Sequence, residues 1–306
     1  MGERSEAILP EDELQALGLI IDKISSEKPE LAEVIRLCAI PHWFDEEIIA
    51  WLRGEGSKPS EQTKTILEEL KLKRLAFVRP ENLFLHDNVR NLLLQRWRKD
   101  NPDAFKSLNG KVATYYEYKL QQSVSAAQGR RLDKCAELER EEMYHLLVAD
   151  KERGINRFKN LCNRAIDSYR LSTLDLLLSI ASEQVDDPSA AIQLWIQFFE
   201  GKRSQVSNDW EKALGVWETL KEKGALLTVD LEQTLAIHLS ILYKDMGEWN
   251  KAIECLEGSL KMLGRKGDEH GMITILNNQG FLYKDREDAQ KAENDFQRAL
   301  EISGKI

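Results

Sequence analysis

Apolar residues return at a helical interval along nearly the whole chain, and the breaks between them set the elements. Residues 9–27 place Leu14, Leu17, Ile21 and Ile24 on one face, behind Pro10 and acids that suit a helix N-terminus. Ser25 to Pro29 closes that helix. A second apolar helix, Leu31 to Ile40, stops at Pro41, and a short third, Asp45 to Leu52, opens on an acidic turn. Gly54 to Pro59 is a loop, and the helix after it starts near Ser60 and buries Ile66, Leu67 and Leu70. The interval then changes. Leu75-Ala76-Phe77-Val78 and Leu83-Phe84-Leu85 flank the polar Arg79-Pro80-Glu81-Asn82, which predicts a hairpin. His86-Asp87 begins another helix, with Val89, Leu92, Leu93 and Trp97 as its apolar positions.

Three helices followed by a hairpin is the order of a winged helix. The last third of the chain follows a different rule, because it repeats itself. Leu242-Tyr243-Lys244-Asp245 returns as Leu282-Tyr283-Lys284-Asp285, and Lys251-Ala252 as Lys291-Ala292, with an earlier Lys212-Ala213 after Trp210. The alanines stand 39 and 40 positions apart. A two-helix period of that length predicts a solenoid, since one helix pair cannot bury its apolar face and must stack on the next. The expected fold is all-α with a small β-hairpin wing: a winged-helix-like domain, then an α-solenoid. Its expected segments are an N-terminal amphipathic helix (1–27), the winged-helix-like domain (28–122), degenerate helical repeats (123–200) and regular repeats (201–306).

Composition narrows the function. The 306 residues are enough for two or three domains, and 42% hydrophobic content supports a buried core. With 31% charged residues and seven prolines, helices with one charged face are favoured. A net charge of −9 excludes whole-surface attraction to nucleic acid or anionic membrane and leaves room only for a local basic patch. The polar start lacks a secretory signal, and no run of about 18 apolar residues offers a membrane span. Cys38, Cys135, Cys162 and Cys255 form no Cys-x-x-Cys pair, so reduced core cysteines and a cytoplasmic protein are expected. His42, His86, His145, His238 and His270 lack metal-ligand spacing, so neither metal nor cofactor is expected. No Gly-x-Ser-x-Gly elbow or papain-like cysteine context occurs, and no enzyme is expected. Glu137, Glu139, Glu141 and Glu142 read as an exposed acidic face.

Two stretches resemble known families. Leu37-Cys38-Ala39-Ile40-Pro41, Phe44-Asp45, Leu67-Glu68-Glu69-Leu70 and Leu85-His86-Asp87-Asn88-Val89-Arg90 resemble the winged-helix module of STAND-type signalling ATPases. Asn101-Pro102 through Tyr116 and Glu142 through Leu147 continue that likeness. In the family the module lies between a nucleotide-binding domain and a repeat array. The phosphate loop Gly-x-x-x-x-Gly-Lys-Ser/Thr is absent here, and Gly54-Glu55-Gly56-Ser57-Lys58 has the wrong order to replace it. His86 matches the family's His-Asp pair and is expected to cap or orient the helix beside it. The C-terminal repeats resemble tetratricopeptide repeats with lengthened helices. Tyr243 and Tyr283 take the first-helix aromatic position, Gly247-Glu248-Trp249 the turn, Ala252 and Ala292 the close approach, and Leu256 and Phe296 the second-helix large position.

These resemblances imply a non-catalytic protein–protein interaction module, a regulator or adaptor in a prokaryotic STAND-like signalling or defence system. The repeat family's inner-face positions fall on Thr234, Ile237, Ile241, Lys244 and Asp245, then Thr274, Asn277, Asn278, Phe281, Lys284 and Asp285. A protein segment is the expected partner there; the lysine-rich face that clamps a chain-terminal carboxylate is not matched. Two other readings compete. A DNA-binding regulator would set Arg79, Arg90, Arg96, Arg98 and Lys99 on the phosphate backbone, against the acids Glu61, Glu68 and Glu69 of the helix that starts near Ser60. A fragment of a larger signalling ATPase or protease would explain the last helix, which no polar capping helix follows. That helix is expected to need a partner, a second copy or further sequence.

Overall fold

The computed structural model describes residues 11–73, 75–79, 82–125, 132–183 and 191–306. Apart from one two-stranded sheet these residues are helical, and their contacts divide the chain into 1–157 and 158–306. Among the described residues no helix is long and apolar enough to cross a membrane.

The first unit begins with α1 (Glu11–Glu27), α2 (Pro29–Cys38), α3 (Glu46–Arg53) and α4 (Glu61–Leu72). Local chemistry places each start. Pro29 sits in the first turn of α2; Asp45 accepts the Ile48 N–H at 2.8 Å, and Ser60 accepts the Thr63 N–H at 3.2 Å. Gly54, at φ 81°, ends α3 in the left-handed conformation that glycine adopts without cost. Strands β1 (Ala76–Arg79) and β2 (Asn82–Leu85) pair antiparallel, from Ala76 opposite Leu85 to Arg79 opposite Asn82. Phe44 exchanges two backbone hydrogen bonds with Leu83 and so joins the other edge of β2. The order is thus helices α2, α3 and α4 followed by a hairpin, with an isolated one-residue bridge at Phe44 between α2 and α3.

Helices α5 (Asp87–Asp100), α6 (Pro102–Ser125) and α7 (Leu132–Ala149) complete this unit. Phe44, Ile48, Ile49, Leu67, Tyr115 and Tyr116 are wholly buried in a shared core. Helix α1 belongs to it through buried Ile21 and a two-pronged ion pair from Arg96 to Asp22 at 2.5 and 3.2 Å. Two expectations change. His86 stands at the N-cap of α5 but its side chain caps nothing; its ring lies 5.4 Å from that of Phe77. The glutamates of α7 do not form a solvated face. Glu142 is buried and accepts Arg157 at 2.7 Å, while Glu141 meets His42 at 2.9 Å. A buried carboxylate persists only when paired, and these two are paired.

The second unit runs from the end of α8 (Lys151–Asp167) through α9 (Leu171–Ser182), α10 (Ala191–Val206), α11 (Trp210–Glu222), α12 (Val229–Asp245), α13 (Trp249–Lys266), α14 (Glu269–Asp285) and α15 (Ala289–Ser303). One turn recurs between the two helices of each pair. Tyr169, Asn208, Gly247 and Glu287 all have positive φ, at 53°, 60°, 80° and 64°, and stand 39, 39 and 40 residues apart. Each N–H bonds to the carbonyl three residues back, and the next N–H to the carbonyl five back, as in Gly247 to Lys244 and Glu248 to Tyr243. This is the Schellman helix stop. The period thus reaches back to α8 and α9, a pair that the alanine spacing alone does not expose.

Helices within a pair approach closely where one surrenders its side chain. A Cβ added to Gly201 of α10 would lie 2.2 Å from the indole of Trp217 on α11, and one on Gly280 of α14 would lie 2.7 Å from Phe296 on α15. Trp217 is fully buried and donates its indole N–H to the Phe198 carbonyl at 3.0 Å. Ala213, Ala252 and Ala292 are buried, as their repeated position requires. The lysine before each of the last two alanines also has a role. Lys251 lies 5.6 Å from the Tyr243 ring centre and Lys291 5.3 Å from that of Tyr283, so each covers an aromatic face with a cation. On α15, Glu293 and Ser303 occupy the places that Ile253 and Leu263 hold on α13, which makes its outer side more polar.

Gly201→Ala should therefore lose about 1–3 kcal/mol despite the helix preference of alanine. Gly280→Ala should lose less, since Phe296 is only partly buried and can swing aside. Thermal unfolding of the two variants decides; an equal or inverted order would contradict the wedge. Glycine at the strained turns should act the other way. Glu287→Gly is expected to gain about 1 kcal/mol by relieving a left-handed non-glycine residue, and Gly247→Ala to lose a similar amount. Opposite shifts in melting temperature are the readout.

Candidate protein-binding groove

Helices α10, α12 and α14 are successive first helices of the pairs, and neighbouring ones meet. Lys244 of α12 pairs with Asp285 of α14 at 3.2 Å, and Gln233 reaches the Gly271 carbonyl at 3.4 Å. On α12 the expected contact residues Thr234, Ile237 and Ile241 are half-buried, Lys244 is half-buried, and Asp245 is exposed. Their spacing of three and four residues keeps them on one helix face. On α14, Asn277 and Asn278 are half-buried, while Thr274, Lys284 and Asp285 are exposed. Phe281 is 57% exposed, its ring edge-on to Phe296 at 5.3 Å. Two polar side chains already hold local bonds. Thr274 donates to the His270 carbonyl, and Asn278 spends one amide N–H on the Thr274 carbonyl at 2.8 Å. The second amide hydrogen and the carbonyl oxygen of Asn278 remain for other donors and acceptors.

The period carries the same face onto α10, which sequence reading left out. Residues 39 before Thr234, Ile237 and Ile241 are Trp195, Phe198 and Lys202. Trp195 and Phe198 are buried; the Phe198 ring stacks on Trp217 at 5.8 Å and meets His238 at 5.3 Å. Burial in this aromatic nest, with the Lys202 charge nearby, pushes the His238 imidazole down to about 3. Burial likewise lowers Lys202, which Asp167 only partly offsets. The signal that could have found Lys202 was the Ala213 offset, followed back one helix.

The basic residues expected on a DNA backbone are otherwise engaged. Arg90 donates to the Pro41 and Ile40 carbonyls at 3.3 and 3.4 Å, Arg96 holds Asp22, and Arg98 lies 5.7 Å over the Phe105 ring. Lys99 is exposed, and the Arg79 side chain lies outside the described residues. On α4, Lys64 and Lys71 are neutralised by Glu61 and Glu68.

A second polar cluster is structural in character. His145, wholly buried, shares its Nδ1 with the Asn109 oxygen at 2.7 Å, and Asn109 donates to the Phe105 carbonyl at 2.8 Å. Since the Asn109 oxygen can only accept, Nδ1 carries the proton. Burial holds His145 well below the usual imidazole range. Among the described residues no group of His, Cys, Asp and Glu is arranged to hold a metal ion. Cys38, Cys162 and Cys255 are free and buried, and Cys135 is free and half-buried.

The tetratricopeptide repeat family model matches residues 230–305, the span of α12 to α15. No curated protein matches the chain. Among solved structures, MamA shares 20% identity over 57% of this chain and 93% of its own, with a TM-score of 0.37. A STAND protein with a tetratricopeptide repeat sensor, from Pyrococcus horikoshii, shares 14% identity over 94% of this chain, with a TM-score of 0.40. This chain spans 52% of that protein's length. The C-terminal pairs are tetratricopeptide-type repeats.

Acid should expose the buried imidazoles. An unfolded histidine titrates near 6.5, so below that pH the unfolded state binds protons that folded His238 and His145 refuse. Stability is then full above about pH 7 and falls as pH drops below 6.5. Between pH 7.5 and 5, His238 alone should cost about 2 kcal/mol. His238→Gln should flatten this part of the profile in melts at the two pH values. Identical acid losses in variant and parent would mean that His238 titrates freely in the fold.

Proposed function

We propose that this chain is a non-catalytic interaction module that holds a segment of another protein along α10, α12 and α14. The observation that carries the reading is Phe281: a large apolar side chain more than half exposed, one repeat from half-buried Ile241 and beside Asn277 and Asn278. A monomer gains nothing by wetting it, whereas a partner covering it recovers the apolar area. The contact set is Thr234, Ile237, Ile241, Lys244 and Asp245, with Thr274, Asn277, Asn278, Phe281, Lys284 and Asp285.

In this reading the protein is a cytoplasmic regulator or adaptor of STAND-like type. Its segments are an N-terminal helix (1–27), a winged-helix-like module (28–122), degenerate repeats (123–200) and the repeats that hold the partner (201–306). What supports the STAND-like placement is the succession Leu85-His86-Asp87 after a wing, in the order α2, α3, α4, β1, β2, ahead of tetratricopeptide repeats. Packing of this module against protein is favoured over DNA because Arg90 bonds to the Pro41 carbonyl and Arg96 is paired with Asp22.

Affinity capture of partners from the source cells tests the groove, using the full chain and its Asn278→Ala and Phe281→Ala variants. A hot spot is worth about 2 kcal/mol, so each variant should retain the partner at least about tenfold less well while melting like the parent. Equal capture by both variants would move the site elsewhere on the molecule.

A further inference from the structure

Lys202, Ile241 and Phe281 occupy one position in three successive first helices, 39 and 40 residues apart. Two other lysines on this set of helices have acids of their own: Lys244 pairs with Asp285, and Lys159 of α8 with Asp230. Lys202 makes no hydrogen bond or close ion pair among the described residues, although it is half-buried near neutral His238, and the charge of Asp167 only partly offsets its burial. A partly desolvated ammonium with no carboxylate in hydrogen-bond reach is costly, and a carboxylate brought to it makes a charge-assisted hydrogen bond in a poorly screened place.

Resting on the groove reading above, we infer that Lys202 seats an acidic side chain of an extended partner segment whose apolar side chains cover Ile241 and Phe281. The geometry sets the spacing. Packed helices stand about 8–10 Å apart, and an extended chain of polyproline II type advances about 3.1 Å per residue with three residues per turn, so that every third side chain faces the same way. One helix row therefore corresponds to about three residues of partner. The segment reads acid, two residues, apolar, two residues, apolar, or the same series reversed. Charge complementarity at Lys202 fixes which end carries the acid.

The test is selection from a phage-displayed library of random dodecapeptides against the full chain, followed by titration of the synthetic peptides recovered. Peptides sharing that spacing should bind at least tenfold more weakly to Lys202→Gln and to Phe281→Ala. Lys202→Arg should bind nearly as the parent does. Lys202→Glu should reject them, and exchanging the peptide's acid for lysine should restore binding to Lys202→Glu. Melting curves of each variant confirm folding, and removing a desolvated charge is not expected to unfold the array. Peptides that need Phe281 yet show no acid and ignore Lys202 would overturn this inference and leave the groove standing. Peptides indifferent to every groove substitution, or no enrichment at all, would count against both.

Discussion

The second unit depends on close approach between the two helices of each pair, and the sum of side-chain volume at that approach is what the repeat conserves. Gly201 admits Trp217 and Gly280 admits Phe296. In the pair between them the same positions hold Ser240 and Leu256, a slightly larger residue against a much smaller one. In the first pair they hold Cys162 and Leu178. Interiors tolerate such exchanges when the total is kept and punish a change on one side alone. A reader looking for one repeated residue at this place finds none, because only the sum repeats.

The helix stop obeys a similar logic with a different tolerance. Its backbone geometry is the same at Tyr169, Asn208, Gly247 and Glu287, but glycine appears once. Left-handed backbone costs an ordinary residue about 1–2 kcal/mol, small beside the apolar area that stacking buries. Tertiary packing therefore overrides local preference at Tyr169 and Glu287. This is why the glycine of Gly247-Glu248-Trp249 is legible as a turn in the sequence while its counterparts are not.

The same distinction separates what could be read along the rest of the chain. The helix starts at Asp45 and Ser60, the hairpin and the paired Leu-Tyr-Lys-Asp segments are local signals, and they lie where the pattern puts them. The glutamates of α7 mislead because a carboxylate's surroundings are set by partners far away in sequence. Arg157 stands 15 residues from Glu142, and His42 stands 99 from Glu141. His145 is similar: its neighbours Asn109, Tyr116 and Tyr144 come from two helices, and spacing within either one shows nothing of the knot. At the candidate groove, the proposed positions on α12 and α14 come from the likeness to the repeat family. Its third row, through Lys202, required the period to be carried across a helix whose own sequence, rich in tryptophan and phenylalanine, reads only as core.

Positions in an array divide by what they face. Those turned toward the partner helix, such as Ala213, Ala252 and Ala292, answer to a neighbour that is itself part of the repeat, so they stay small in all three pairs. Those at the place of Lys202, Ile241 and Phe281 are only partly covered by the chain itself. There the same place holds a cation without a close ion pair at Lys202, an aliphatic chain at Ile241 and a wetted ring at Phe281. Stacking does not require this variation, and at Lys202 and Phe281 it works against stability by desolvating a charge and exposing an aromatic face. A sequence shaped by packing alone would place a residue like Ile241 at all three. The departure in both directions from that packing optimum, one position toward charge and one toward exposed area, is what a surface shaped by an external ligand would show.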